Sequence, residues 1–319
     1  MEQLSVFWEN TDLKHEFDQW IDEYISNETW HLEKDTDLTY LVYGNGVYAK
    51  AVTSISQSEG MLSQYLAHML PGLVPDVVAV HPVHPWFILR KVSGHPLRDV
   101  PDQEQYEVAL REYAKLQQRM SGETEQLLKM GVPDRRPSML REEIESTFVE
   151  MSLNLERVQR EEVLALKPEL LSMCEELESG IPMSLDHGDL HGGNIFWEPE
   201  SNQPVILDWG DATITHPFFS MRVFWNILFD LLPEEDDTLW IEKIHELRKV
   251  YLKEWRHVAP TEILERHMKI AEELGCVYRA ISWHTYVTAH RRDKKDSSDK
   301  PAQWLKLLLE YRKLQRDTH

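Results

Sequence analysis

The chain has 319 residues, enough for one large core or two lobes, and carries 55 acidic against 34 basic residues for a formal charge of −21. That balance argues against a nucleic-acid partner, whose phosphates would be repelled, and leaves a cationic small molecule welcome. Cys174 and Cys276 stand alone and read as free thiols of a reducing compartment. Residues 1–10 lack the basic start of a signal peptide and no apolar run is long enough to span a bilayer, so a cytoplasmic protein with no membrane partner is expected.

Residues 13–25 place Phe17, Trp20, Ile21 and Tyr24 on one face, which predicts an amphipathic helix packed on a sheet. Three strands follow, over 29–33, 38–43 and 47–52, the last two joined by the turn Gly44-Asn45-Gly46. Lys50 falls inside the third strand. A lysine there is usually a solvent-face residue, but this is also where a kinase places the lysine that grips the α- and β-phosphates. Glu59 opens a helix over 58–69 whose apolar positions are Met61, Leu62, Tyr65, Leu66 and Met69. It reads either as a favourable acid at a helix N-terminus or as the carboxylate that orients Lys50. Because it follows the Lys50 strand directly, the second reading is preferred.

Strands over 77–80 and 86–92 flank a turn rich in His and Pro, and Ser93-Gly94 then reads as a hinge. Beyond it helices are predicted over 103–119, 139–158 and 168–179, with a break at 133–138, and then a short strand over 183–185. Further helices are predicted over 221–232, 238–255, 261–290 and 302–316. Glu234-Glu235-Asp236-Asp237 reads as the charged start of a solvated helix, and 291–300 as a loop of mixed charge.

The chemistry gathers in His187-Gly188-Asp189-Leu190-His191-Gly192-Gly193-Asn194 and in Val205-Ile206-Leu207-Asp208-Trp209. A phosphoryl-transfer site needs a base for the acceptor hydroxyl and two oxygen ligands that hold magnesium against the β- and γ-phosphates. One tight loop supplies Asp189 and Asn194. Asp208 returns to them if 194–197 and 204–208 form a hairpin through the turn at 198–203, where Pro199 and Asn202 sit. His-x-Asp-x-x-x-x-Asn alone arises by chance in roughly one chain in a hundred of this length, so the downstream strand and Asp208 are what give it weight. Zinc is a rival reading, since His187 and His191 stand four apart, but that geometry needs a helix and Gly188, Gly192 and Gly193 argue for a loop.

Together with Val47-Tyr48-Ala49-Lys50, Glu59 and the hinge run from Phe87 to Gly94, these motifs resemble the aminoglycoside phosphotransferase and choline-kinase-like group of the protein-kinase-like fold. The resemblance covers about residues 30–220 in order. Gly188 after the histidine, Trp209 after the aspartate and the lack of an Ala-Pro-Glu segment set the chain apart from protein kinases. The resemblance implies an α+β, bilobal fold, with a small β-rich nucleotide-binding lobe over 1–92 and a large helical catalytic and substrate-binding lobe over 93–319. It implies a kinase that moves the γ-phosphate of ATP or GTP to a hydroxyl of a small molecule, with an amine-bearing acceptor such as an aminoglycoside, a sugar, choline or a homoserine-like metabolite all left open. In that reading Asp189 is the base and Asn194 and Asp208 hold Mg2+. Lys50, paired with Glu59, contacts the phosphates, the backbone of Arg90 and Val92 meets the purine, and His187 buttresses the loop. Tyr48 lies either against the base or in the core, and Asp211 either near the metal or capping a turn. No glycine precedes Gly44, so residues 34–37 are expected to cradle the phosphates without the glycine-rich loop of protein kinases. Trp225, Trp240, Trp283, His284 and Tyr286 are candidate pocket aromatics, each also a natural core residue. The alternative is a kinase-like binding or spore-coat type structural protein without turnover, against which stand intact Lys50, Asp189, Asn194 and Asp208. The sequence leaves the oligomeric state open.

Overall fold

The computed structural model describes residues 11–25, 29–232, 237–291, 294–295 and 297–317; the acidic residues 234–236 lie outside these. Helix α1 (Thr11–Tyr24) precedes a five-stranded antiparallel sheet of β1 (His31–Asp35), β2 (Thr39–Gly44), β3 (Val47–Val52), β4 (Val77–Val80) and β5 (Trp86–Arg90), in the order β1-β2-β3-β5-β4. Helix α2 (Glu59–Met69) connects β3 to β4. The period-2 alternation of β3 sorts its faces. Val47, Ala49 and Ala51 bury against Phe17, Trp20 and Ile21 of α1, whose Phe17 ring meets Trp86 edge-on at 5.4 Å. Tyr48 and Lys50 therefore face the other way, into a cleft.

Gly94 makes the hinge. Its φ of +97° is open to glycine, and a Cβ there would lie 1.9 Å from the Trp197 carbonyl oxygen, so the chain passes against the catalytic hairpin with no room for a side chain. The next two residues, β6 (His95–Pro96), pair with β8 (Ile195–Glu198), which pairs with β9 (Gln203–Ile206). A second small sheet joins β7 (Ser184–Asp186) to β10 (Thr213–Thr215).

The rest is helical: α3 (Gln103–Met120), α4 (Thr124–Lys129), α5 (Pro137–Met151), α6 (Arg157–Ala165), α7 (Lys167–Leu177), α8 (Met221–Phe224), α9 (Leu228–Leu231), α10 (Asp237–Glu254), α11 (Thr261–Ile281) and α12 (Lys300–Asp317). Helix α11 runs through the core, buried nearly all round from Ile270 to Ile281. On it Glu272, fully buried, takes both oxygens to Arg248 (2.7 and 2.9 Å), accepts from Trp225 Nε1 at 2.8 Å and bonds the Tyr311 hydroxyl. Among the described residues no helix is long and apolar enough to cross a membrane.

The fold is the small antiparallel-sheet lobe and helical lobe that the sequence leads one to expect, with local differences. The first strand begins at His31 and not residue 29, and the fifth ends at Arg90 and not 92. The helix expected over 139–158 is two, α5 and α6. Ser152 bonds back to the Val149 carbonyl and Asn154 reaches the Ser298 carbonyl, and both compete with helix continuation. The helix expected over 261–290 turns to a π-helix at Ser282–Val287 and a 3-10 turn at Thr288–His290. Strand β10 and helix α4 carry no strong local pattern and were not expected. The proposed phosphate loop at 34–37 is smaller than expected: Lys34 and Asp35 end β1, and Thr36 Oγ1 accepts from the Leu38 and Thr39 N–H groups to close a turn.

Candidate active site

Hairpin register brings the polar residues together. Ile195 pairs with Ile206, and the Leu207 N–H donates to the Asn194 carbonyl at 2.9 Å, so Asn194 and Asp208 leave the two strands side by side. The Asn194 amide donates to the Asp189 carbonyl at 3.0 Å, which closes the loop and leaves its Oδ1 free of that bond. Asp208 has φ 61° and ψ 64°, a left-handed conformation that a non-glycine residue adopts at a cost, and half of its side chain is exposed. Its carboxylate meets Lys50 Nζ at 2.7 Å, and the same ammonium meets Glu59 Oε1 at 2.6 Å. Burial disfavours charge on Lys50, but the Asp208 and Glu59 carboxylates outweigh it and raise its pKa. The Lys50 ammonium in turn holds Asp208 well below the usual carboxylate range. Burial pushes Glu59 up to about 7, with Lys50 opposing.

Around these residues lies a cleft of about 280 Å³. Tyr48, Leu89, Phe196 and Leu207 give it apolar walls, and Lys34, Lys50, Arg90 and Lys91 give it cations. Arg90 and Val92 both line it. The Arg90 N–H donates to the Asp76 carbonyl and the Lys91 N–H to the Gly46 carbonyl, each at 2.8 Å. Among the described residues the Val92 N–H has no backbone acceptor.

His187 is fully buried and burial lowers its pKa. Its Nδ1 accepts from the Asp189 N–H at 3.3 Å, which assigns the ring proton to Nε2, donated to the Leu207 carbonyl at 2.8 Å. With both nitrogens spent, His187 links the loop to the strand end and has no lone pair for zinc. Gly188 carries φ +79°, and a Cβ there would lie 2.3 Å from the Asp211 carbonyl oxygen. Gly188→Ala is therefore expected to cost at least about 1–3 kcal/mol and to displace Asp189, read as a lowered melting temperature together with slower turnover. Wild-type values of both would show that the loop tolerates the side chain.

Several supporting residues have no local signal in the sequence. Asp186 accepts from the Ser220 hydroxyl (2.8 Å), the Ser220 N–H (3.0 Å) and the Gly188 N–H (3.1 Å); burial pushes it up to about 6 against these bonds. The Tyr113 hydroxyl accepts from the His187 N–H at 2.9 Å. Arg279, from α11, is the largest omission. Its Nη2 lies 3.0 Å from Asp189 Oδ1, and its Nη1 lies 2.8 Å from the Gly188 carbonyl and 3.3 Å from Asp211 Oδ2. Asp211 thus ties a 3-10 turn to Arg279, and burial raises its pKa against that arginine. A helix of apolar periodicity hides an inward arginine, because nothing 91 residues away in sequence marks its partner. Of the candidate aromatics, Tyr286 lines a cavity near this site. Trp225 is core and bonded to Glu272, Trp240 packs on Phe229 at 4.5 Å, Trp283 sits beside Arg291 and Lys300, and His284 Nε2 lies 3.4 Å from Glu150.

The model of the phosphotransferase enzyme family matches residues 25–260, well over half of the chain. The chain belongs to that family. No curated protein matches the sequence. Solved structures of this fold include an ethanolamine kinase from Plasmodium vivax (13% identity, TM-score 0.66, covering 92% of this chain and 88% of that one). A choline/ethanolamine kinase family protein from Mesorhizobium loti aligns at 14% identity and TM-score 0.62, over 93% and 92% of the two chains. The GDP complex of aminoglycoside 2'-phosphotransferase-IIIa aligns at 18% identity and TM-score 0.64, over 94% and 98%. At these identities the likeness establishes the shared fold of a phosphotransferase.

Proposed function

We propose that this phosphotransferase moves the γ-phosphoryl group of ATP or GTP to a hydroxyl of a small molecule. The observation that carries the reading is the Lys50 ammonium, buried in the cleft and held at 2.6 Å by Glu59 and 2.7 Å by Asp208. Burying a lysine between two acids is costly unless it has a task, and a phosphate-gripping lysine has one. The boundary near residue 93 separates a nucleotide-binding lobe, 1–92, from a catalytic lobe, 93–319. The purine lies between the apolar walls, with the Arg90 carbonyl and the Val92 N–H at its edge.

The acceptor oxygen attacks the γ-phosphorus, the bond from phosphorus to the β-bridging oxygen breaks, the nucleoside diphosphate leaves, and the hydroxyl proton passes to the Asp189 carboxylate. Among the described residues there is no group of three acid, His or Cys ligands that could cage a metal by protein alone. Asn194 and Asp208 supply two hard oxygens, which suits magnesium, an ion that takes few protein ligands and completes its shell with phosphates and water. When bound, magnesium offsets charge on the β- and γ-phosphates.

Thermal melts with ATP and GTP, with and without magnesium, test the reading. At nucleotide concentrations of 100 times Kd a magnesium-dependent stabilisation of about 2.7 kcal/mol is expected, and Asp208→Ala removes the magnesium-dependent part. Absence of a shift with either nucleotide would overturn the kinase reading in favour of a non-catalytic binding protein.

A further inference from the structure

The second histidine of the loop, His191, differs from His187 in having one ring nitrogen unspent. The Gly193 N–H donates to His191 Nδ1 at 3.0 Å, which places the ring proton on Nε2. Among the described residues that Nε2 donor has no hydrogen-bond acceptor. The ring is held in place. The His191 carbonyl accepts from the Asn194 N–H at 2.9 Å, and the Gly192 carbonyl accepts from the Arg98 N–H at 3.2 Å. A Cβ on residue 193 would lie 2.8 Å from His191 Cε1, so the bare Gly193 leaves the ring its position.

His191 Nε2 lies 3.8 Å from Oδ2 of Asp189, while Arg279 Nη2 meets the other oxygen, Oδ1, at 3.0 Å. The carboxylate is thus oriented through one oxygen and open at the other. A separation of 3.8 Å is too long for a direct hydrogen bond, and it is a span that one oxygen atom bridges at about 2.8 Å from each side. The His191 and Asp189 side chains are 34% and 32% exposed, whereas His187 is fully buried, so the gap is open to an incoming molecule. Gly193 and Asn194 of the same loop line the nucleotide cleft, and the Asn194 amide bonds the Asp189 carbonyl at 3.0 Å. The gap is one hydrogen bond along the loop from a cleft-lining side chain.

We infer that the gap between Asp189 Oδ2 and His191 Nε2 holds the oxygen that is phosphorylated, and that His191 is a second catalytic residue, which orients it. The assignment rests on the kinase reading of the neighbouring cleft. The acceptor hydroxyl gives its proton to Oδ2, takes a hydrogen bond from Nε2–H on one lone pair and attacks the γ-phosphorus with the other. The new oxygen–phosphorus bond forms as the bond to the β-bridging oxygen breaks; the proton ends on Asp189 and His191 keeps its own. A donor on the attacking oxygen would hinder a reaction that needs a highly charged nucleophile. Phosphoryl transfer through a loose transition state needs little charge there and depends on position, so orientation outweighs that effect.

Asparagine and glutamine divide the two roles of the ring. In His191→Asn the amide oxygen stands where Nδ1 was and keeps the Gly193 bond; in His191→Gln the amide nitrogen stands where Nε2 was and keeps the donor. Single-turnover transfer by the full chain from magnesium-ATP to water, glycerol, ethanolamine, choline and serine finds the acceptor that the wild type uses fastest. With that acceptor His191→Gln should exceed His191→Asn about tenfold, the worth of one hydrogen bond made to the reacting oxygen, while both variants bind magnesium-ATP. An Asn variant as fast as the Gln variant, or faster, would mean that the ring only braces the loop, and overturns the inference. Should the Gln variant misfold, His191→Ala with added imidazole supplies the check: recovery of the rate supports the role and no recovery overturns it. No transfer to any acceptor, water included, by a protein that binds magnesium-ATP also overturns it and leaves the nucleotide site standing. Failure to bind magnesium-ATP overturns the kinase reading and this inference with it.

Discussion

Asp189→Ala is expected to slow phosphoryl transfer by about 10²–10⁴-fold, the usual contribution of a positioned general base, with magnesium-nucleotide binding nearly unchanged. The separation of effects follows from the geometry. Asp189 is held on its loop by Arg279, while the Lys50 ammonium, assigned to the phosphates, is held by Glu59 and Asp208. The loop itself survives the change, because Arg279 Nη1 keeps the Gly188 carbonyl and Asp211, and His187 keeps the Leu207 carbonyl. Asp189→Asn separates charge from shape: it keeps the loop contacts and loses the base. Single-turnover transfer at saturating acceptor, paired with a nucleotide titration, reads both quantities. A variant that turns over at the wild-type rate removes Asp189 from the role of base.

Glu272→Ala is expected to cost about 3–5 kcal/mol, because it leaves Arg248 charged and nearly buried with no partner. At roughly 2–4 °C per kcal/mol for a chain of a few hundred residues, the melting temperature should fall by on the order of 10 °C. The residue ties α10, α11, α12 and Trp225 at one point, so the loss falls on the helical lobe as a whole. Replacing the pair together, Arg248→Met with Glu272→Leu, removes both charges and should recover much of the stability, since apolar packing can stand in for a buried ion pair. A melting temperature unchanged in the single variant would mean that water reaches Arg248 and the pair contributes little.

Where the sequence could be read, the reason is short range. Lys50 and Tyr48 share a face because side chains alternate along β3, and Val47, Ala49 and Ala51 are the apolar half of the same pattern. Asn194 and Asp208 stand together because a hairpin of fixed register joins them through a turn marked by Pro199 and Asn202. Misreadings came where side chains override periodicity: Asn154 cuts one expected helix by bonding the Ser298 carbonyl, and Ser282, bonded to the Tyr278 carbonyl and to Arg135, stands where another turns from α to π.

The sequence by itself determined the two-lobe plan, the face on which Lys50 lies, and the approach of Asn194 and Asp208, since these follow from strand alternation and from one hairpin. Only the tertiary structure decided what surrounds them. Arg279 reaches Asp189 from α11, Arg135 meets Ser282 across 147 residues, and Ser220 bonds Asp186 across 34. These contacts arise from the packing of whole helices against the loop, and packing leaves no period in the chain for a reader to find.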